Sequence, residues 1–292
     1  MPRRTATLED VARAAGVSQQ TVSRVLNRPE VVSARTREQV IRAMQALHYV
    51  PNRSAQLLAG KAAPSIGLIT ASLTLHAPSQ IAAAVKSHAS LHQLEVAIAM
   101  PAQADFAALQ ARLDELRAQH IRGVIVSLPL ESATAERLVK ENPDMACLFL
   151  DVSPEADVCC VRFDHRDGCG ACVRHLWELG HREFGLLAGP ESSVSARLRL
   201  ASWREALHSL NIARSTTDSL YFQPPLTTVA QDFDLLGKRA VERLIALMAA
   251  PQLRIRELLP TRLIVRQSAW PLAAAEDRQQ TLAQLKALVE KL

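Results

Sequence analysis

The sequence is poor in aromatic residues and lacks long apolar runs. Aromatic side chains make up 4% of the 292 residues, so the hydrophobic cores must be built mainly from Ala, Leu and Val. No apolar run reaches the roughly 20 residues of a transmembrane helix, and the basic N-terminus continues into an amphipathic segment rather than a signal-peptide core. We therefore expect a cytoplasmic protein that crosses no membrane and whose five cysteines are reduced.

Acidic residues are scarce only in the first fifth of the chain. Residues 1–61 hold ten Lys and Arg but four Asp and Glu, whereas the remainder holds 24 basic and 25 acidic residues. All of the excess positive charge therefore lies in a short head on a nearly neutral body. This asymmetry indicates that the head binds a polyanion. The total length allows two or three domains.

The head shows the start and stop signals of three short helices. Thr7 can cap "LEDVARAA", and Gly16 ends that helix. Ser18 can cap the next helix, which runs to about Leu26, and Ser33 can cap "ARTREQVIRAMQALHY". Two short helices joined through a glycine match the spacing of a helix-turn-helix motif.

The second helix presents amides, hydroxyls and one arginine where an exposed face usually carries Glu and Lys. In a helix-turn-helix this helix lies in the major groove, where Gln pairs with adenine and Arg with guanine. Gln19, Gln20 and Arg24 are therefore the candidates to read bases. The alternative, without a role in DNA reading, is a small helical bundle with a polar face. The side chains suited to phosphate contacts are Thr7, Ser18, Thr21, Ser23 and Asn27.

The segment "PNRSAQLLAGK" predicts a further short helix after the head. Asn52 can cap it and Gly60 ends it, so the helix is too short to be stable alone in water. Leu57 and Leu58 have no obvious core of their own. These features favour a helix that orders on DNA and places a leucine between base steps in the minor groove.

Short apolar runs alternate with amphipathic helices after Lys61. The runs "SIGLITAS", "EVAIAM", "GVIVS" and "ACLFLD" predict a parallel sheet covered on both faces. A second series, with strands "CCVRF" and "EFGLLAG", predicts a second α/β lobe. Ligands bind at the carboxyl ends of such strands. Asp151 at one end and Arg199 on a following helix suit sugar hydroxyls, although a structural ion pair or a capping aspartate gives the same pattern.

Several segments resemble one known family over nearly the whole chain. "TLEDVARAAGVSQQTVSRVLN" and "RSAQLLAGK" resemble the headpiece and hinge helix of the lactose/galactose repressor family. "LHAPSQI", "LFLDVS", "GPESSVSARLRLASW" and "PPLTTVAQDF" resemble its regulatory body. The resemblance implies a helix-turn-helix headpiece in residues 1–51, a hinge helix in 52–61, a two-lobed body like periplasmic binding proteins in 62–271, and an oligomerisation helix in 272–292.

The resemblance also implies a function and a set of site residues. The family's base readers fall on Gln19, Gln20 and Arg24, and its hinge contacts to DNA fall on Asn52, Ala55 and Leu58, the last of which intercalates. The implied function is a repressor of a sugar-utilisation operon, with no enzyme activity, cofactor or metal, that a small galactoside-like inducer releases from operator DNA. The implied inducer contacts are Leu75, Ala77, Pro78, Asp151, Phe163, Ser195, Arg199, Gln231 and Phe233.

One departure from the family affects the body. After "WREALHSLNI", near residues 213–220, roughly sixty residues of the family pattern are absent, and with them a pocket tryptophan, asparagine and aspartate. Loss of central strands exposes sheet edges, so we expect an incomplete second lobe. Two alternatives follow: a repressor that no longer responds to inducer, and a sugar-binding module or enzyme whose head is incidental.

The C-terminal segment "LAQLKALVEKL" shows 3-4-3 apolar spacing, which is typical of a helix seam that pairs with another helix. The alternative is a last helix packed on its own body. The chain is thus predicted to form a homodimer, or a tetramer through Leu282, Leu285, Val289 and Leu292.

Cys169 and Cys172 have the spacing of metal ligands but fall on a predicted helix without a knuckle-like turn, so we expect no metal.

Overall fold

The computed structural model describes residues 6–49, 64–182, 184–185, 189–210, 215–216, 227–266 and 268–269. The chain divides into two compact units, Met1–Ala63 and Pro64–Leu292. In the described parts of both units, no helix is long and apolar enough to span a bilayer. Two groups of predicted contact residues lie outside the described residues and stay predictions: Asn52, Ala55 and Leu58, and Leu282, Leu285, Val289 and Leu292.

The first unit is a three-helix head, as the caps predict. It contains α1 (Leu8–Ala15), α2 (Gln19–Asn27) and α3 (Ala34–Ala46), with a 3-10 turn at Pro29–Val31. Gly16 ends α1 in the left-handed region, with φ of 64°, where a side chain would be strained. Three valines, one from each helix, are fully buried and form the shared core: Val11, Val22 and Val40.

The second unit is built on a six-stranded parallel sheet with the strand order β2-β1-β3-β4-β5-β9. The inner strands of this sheet consist mainly of apolar residues because both faces of the sheet are covered. The strands are β1 (Ser65–Thr70), β2 (Glu95–Ala99), β3 (Gly123–Ser127), β4 (Ala146–Phe149), β5 (Cys160–Phe163) and β9 (Arg256–Leu259).

Two helices cover each face of this sheet. On one face α5 (Phe106–Ala118) and α6 (Ser132–Glu141) bury leucines against the strands. On the other face α4 (His76–Leu91) packs beside α9 (Phe233–Ala249). The two helices cross so closely at Gly237 that no side chain fits between them.

The chain returns to the first lobe after the predicted gap. Both α9 and β9 follow residue 226. Nevertheless, α9 helps to cover one face of the first lobe's sheet, and β9 forms one edge of that sheet. The prediction that "CCVRF" opens the second lobe is wrong, because β5 pairs with β4 and β9 in the first sheet. Local periodicity identifies a strand but not its partners, and the partner of β5 lies about ninety residues later in the chain.

The second lobe is small in the described part of the chain. There α7 (His165–Glu178) and α8 (Val194–Ser209) pack around β6 (Phe184–Gly185), which pairs with β7 (Ser215–Thr216). Its core comprises four buried side chains, namely Val173, Phe184, Trp203 and Leu207. An antiparallel pair, β8 (Thr228–Ala230) and β10 (Arg262–Ile264), lies against the start of α7.

Most of the buried apolar side chains among the described residues of the body lie in the first lobe. The incomplete second lobe stays a prediction, because residues on both sides of β6 and β7 lie outside the described part of the chain.

Substitution of Gly237 tests the close packing of α9 on α4. A Cβ at this position would lie 2.4 Å from Ala84 Cβ and 2.8 Å from the Ala84 carbonyl carbon. We expect Gly237→Ala to destabilise the body by about 1–3 kcal/mol, because the overpacking exceeds the gain in helix propensity. The measurement is the urea midpoint of the body's unfolding transition.

The matched control is Gly170→Ala on α7. A Cβ there meets only the guanidinium group of Arg174, at 3.1 Å, which can move. We expect this variant to be as stable as the wild type or more so. Equal destabilisation by both substitutions would contradict the close crossing.

Candidate functional site

The polar face of α2 is turned outward by the core beneath it. Val22 and Val25 are buried against α1 and α3, so the opposite side of the helix faces solvent. Gln20 and Arg24 lie on that side, and Gln19 stands beside it at the first position of the helix. All three are exposed. None of the three has a side-chain partner among the described residues, so their donors and acceptors are free for a ligand.

The hydroxyl groups around this face hold the helix ends. Ser18 Oγ accepts a hydrogen bond from the Thr21 backbone N–H at 3.1 Å, and Thr7 forms a capping box with Asp10. The first turn of α2 contains no acidic residue. Its N-terminus therefore offers backbone N–H groups and a positive dipole end to a phosphate without competition from a carboxylate.

Two further predicted phosphate contacts bind each other in the free protein. Asn27 Nδ2 donates to Ser23 Oγ at 3.0 Å, one helical turn away. A phosphate contact at either residue must rearrange this bond or use the remaining hydrogen-bonding capacity of the hydroxyl. Of the predicted DNA contacts on α2, only Gln19, Gln20 and Arg24 have side chains without a partner among the described residues.

A polar cluster lies at the carboxyl end of the first sheet. Ser195 Oγ, on the first turn of α8, donates to Asp151 Oδ1 at 2.7 Å. Burial raises the pKa of Asp151, and the hydrogen bond from Ser195 and the positive charge of Arg199 oppose that rise. The structure thus brings together the three predicted polar contacts of the ligand site.

A second contact ties α8 to the first lobe. Arg197 forms an ion pair with Glu131, which directly precedes α6. Together with the Ser195–Asp151 bond, it fixes the first turn of α8 over the ends of β3 and β4. The sequence reasoning missed Arg197, because an arginine on a helix surface carries no local signal of its partner.

An apolar wall stands at the same edge of the sheet. The ring of Phe163, at the end of β5, meets the ring of Phe233, at the start of α9, edge to face with centroids 5.7 Å apart. The His76 ring contacts Phe233 in the same manner at 6.1 Å. The other predicted wall residues, Leu75, Ala77 and Pro78, lie at the start of α4, and the predicted pocket residue Gln231 lies two residues before α9.

His165 belongs to this site, although the sequence analysis did not assign it there. It is 8% exposed at the start of α7, directly after β5. Burial lowers the pKa of His165 to about 4, and the positive charge of Arg199 adds to that effect. A neutral imidazole therefore stands beside the guanidinium group. A polar residue just after a buried strand is the signal that could have revealed it.

The cysteines of α7 do not form part of a metal site in the described residues. No group of three or more His, Cys, Asp or Glu side chains is placed there to hold an ion. Burial raises the pKa of both the Cys169 and the Cys172 thiol, which disfavours the thiolate that a metal requires.

The low pKa of His165 predicts a pH-dependent stability. The unfolded chain binds a proton on this histidine near pH 6.5, whereas the folded chain binds it only near pH 4. The contribution to stability is therefore complete above pH 6.5 and is lost as the pH falls toward 4, by at most about 3 kcal/mol. Urea unfolding of the wild type and of His165→Gln at several pH values measures this loss.

We expect the free energy of unfolding of His165→Gln to change less between pH 6.5 and 4 than that of the wild type. The exposed His92→Gln serves as the control and should reproduce the wild-type slope. A wild-type slope retained in His165→Gln would show that another group carries the pH dependence.

Comparison with known proteins places both units in one family. The family described as bacterial regulatory proteins of the lacI family matches residues 7–52. Periplasmic binding proteins and the sugar-binding domain of the LacI family match residues 63–216, and a periplasmic binding protein-like domain matches residues 215–269.

Two curated relatives cover the chain from end to end or nearly so. The lactose operon repressor of Klebsiella pneumoniae is 78% identical, with both chains fully covered. That alignment spans 354 positions, 62 more than the 292 residues of this chain. The lactose operon repressor of Escherichia coli K12 is 38% identical over 97% of this chain and 98% of its own length.

A solved structure shows the same fold. A crystal structure of the lac repressor dimer, bound to operator and the anti-inducer ONPF, superposes with a TM-score of 0.83 and 36% sequence identity, covering 91% of this chain and all of the other. The two curated relatives of this chain are named as repressors and not as enzymes. The chain belongs to the lacI family of bacterial regulatory proteins.

Proposed function

We propose that this protein represses a lactose-type sugar-utilisation operon by binding operator DNA, and that a small galactoside-like inducer releases it. The observation that carries the proposal is the unpaired amide and guanidinium face of α2, held outward by the valine core of the head. Gln19, Gln20 and Arg24 supply the groups that pair with adenine and guanine in the major groove. The lactose operon repressors to which the chain is similar support the same function.

The proposed active form is a dimer. Two copies of α2 would occupy successive major grooves of a near-palindromic operator, while Asn52, Ala55 and Leu58 of the hinge segment contact the minor groove. The related lac repressor was solved as a dimer on operator. Such a protein acts in the cytoplasm on the nucleoid, and the C-terminal helix would extend the dimer to a tetramer.

An apolar surface on the first lobe supports self-association. Strand β2 is an edge of the main sheet, and Ile98 and Met100 at that edge are 41% and 52% exposed. Leu91, at the end of α4, is 76% exposed. An exposed strand edge flanked by large apolar side chains is a surface that a second copy can cover.

The proposed inducer site is the cluster at the carboxyl end of the first sheet. Asp151, Ser195 and Arg199 offer a carboxylate, a hydroxyl and a guanidinium group to sugar hydroxyls. The rings of Phe163 and Phe233 offer an apolar wall to the less polar face of the sugar ring. Leu75, Ala77, Pro78 and Gln231 complete the proposed contacts.

A second candidate function is operator binding without release by a sugar. The alignment with the Klebsiella repressor, which spans 62 positions more than this chain has residues, favours it. A sugar binds between two lobes only if both lobes present a surface to it. A sugar-binding module without a regulatory role is disfavoured by the head, which contains free base-reading side chains.

Arg24→Ala tests the reading role of α2. We expect a loss of about 1–3 kcal/mol in operator binding, confined to one base pair of each half-site, because an Arg–guanine pair is lost. Fluorescence anisotropy with operator duplexes that carry every single base change measures it. Arg42→Ala on α3, whose guanidinium pairs with Glu38, is the matched control and should keep the wild-type preferences. Unchanged base preferences in Arg24→Ala would remove this residue from the reading role.

A galactoside titration separates the two candidate functions. If the cluster binds inducer, galactosides lower operator affinity, and Arg199→Ala raises the half-effective concentration at least tenfold while operator affinity without sugar stays unchanged. Isothermal titration calorimetry and anisotropy on the full chain measure binding and release. Absence of both heat and release, with intact operator binding, would establish the sugar-insensitive repressor.

A further inference from the structure

A cavity of about 270 Å³ lies at the amino ends of β3 and β4, at the opposite edge of the sheet from the proposed inducer site. It opens between the end of α6 and the end of α9. Since a cavity of about 150 Å³ accommodates benzene, this one has room for an aromatic ring and a short chain. All of the residues that line it are described.

The floor and walls of the cavity are apolar. Val139 and Met248, near the ends of α6 and α9, line it and are each 37% exposed, so both offer apolar surface to a ligand. Cys147 and Cys159 form part of the floor, and burial raises the pKa of Cys147 to about 12, so its thiol stays neutral. This surface favours an apolar group of a ligand.

Most polar groups around the cavity are already satisfied. Asp144 accepts hydrogen bonds from Arg117 at 3.0 Å and from Arg122 at 2.7 Å, and the bond from Arg117 lowers the pKa of Asp144. The Asn142 side chain is bonded to Gln110, Arg117 and the Leu138 carbonyl. These groups close one side of the cavity and leave little for a ligand.

Two charges of opposite sign remain at the rim. Arg254 and Asp157 line the cavity, are exposed, and have no side-chain partner among the described residues. They stand on adjacent segments, because Cys159 Sγ donates to the Leu253 carbonyl at 3.4 Å and the Cys160 N–H donates to the Ile255 carbonyl at 2.7 Å. The Asp157 backbone is fixed by its N–H bond to Glu136 at 3.0 Å.

We propose that this cavity binds an α-amino acid with an apolar side chain. The carboxylate of the ligand pairs with Arg254, its ammonium group pairs with Asp157, and its side chain packs on Met248 and Val139. A ligand with one charge can pair with only one of the two rim groups, and a purely apolar ligand can pair with neither. The site shares no residue with the operator-reading face or with the proposed inducer cluster, so its test does not depend on either.

The five methionines of the chain provide the measurement. In the full-length protein labelled with [methyl-¹³C]methionine, the signals of Met145 and Met248 report on the cavity, whereas Met44 and Met100 lie elsewhere. The substitutions Met145→Leu and Met248→Leu assign the two signals. We expect L-phenylalanine to shift these two signals in a saturable manner and to leave the others unchanged.

Two analogues test the charge pairing. 3-Phenylpropionate lacks the ammonium group and 2-phenylethylamine lacks the carboxylate, and we expect each to bind at least fivefold more weakly than phenylalanine. Asp157→Asn should remove the advantage of phenylalanine over 3-phenylpropionate. Arg254→Gln should remove its advantage over 2-phenylethylamine. Both residues are exposed, so neither variant endangers the fold.

The control variant is Arg204→Gln, which removes an exposed arginine of α8 and should retain both advantages. Absence of saturable shifts at Met145 and Met248 would overturn the proposal. So would equal binding of the three probes to the unaltered protein, or discrimination that survives both rim substitutions.

Discussion

The burial of three valines in the head decides what the protein can recognise. Val11, Val22 and Val40 meet at zero exposure, and this contact fixes the rotation of α2 about its own axis. Once Val22 points inward, Gln20 and Arg24 must point outward, since each lies about 160° from Val22 around the helix. Gln19 lies nearer the buried side and is exposed because it occupies the first position of the helix. The capping hydroxyls of Ser18 and Ser33 then set where the helices begin. The reading face is therefore a consequence of core packing together with capping.

The body depends on a different constraint, the return of the chain to its first lobe. Because α9 and β9 complete the first sheet, the gap of roughly sixty residues that the sequence predicts near 213–220 would fall in the second lobe and not in the main core. Asp151 and Phe163 keep their places at the sheet edge, and α8 stays attached through Ser195 and Arg197. The described head thus keeps the proposed reading face, and the first lobe keeps the proposed inducer contacts Asp151 and Phe163, whereas the second lobe is the part predicted to be shortened.

Local signals in the sequence were sufficient for the head and for most single elements of the body. Caps and a glycine gave α1 to α3, and apolar runs gave β1 to β5 within two residues. Periodicity did not reveal which sheet β5 joins, nor α9 and the β8–β10 pair, because these depend on pairing between distant segments. The resemblance supplied Ser195 and Phe233. His165 and Arg197 were missed because their environment comes from side chains more than thirty residues away.

Major-groove reading by α2 is tested most directly with operator duplexes in which single guanines or adenines are replaced by their 7-deaza analogues. These analogues keep Watson–Crick pairing and remove only the N7 acceptor of the major groove. The account predicts that affinity falls at a few purines, placed symmetrically in the two half-sites, and is unchanged at all others. Full affinity for every substituted duplex, together with a clear preference for operator over random DNA, would contradict it.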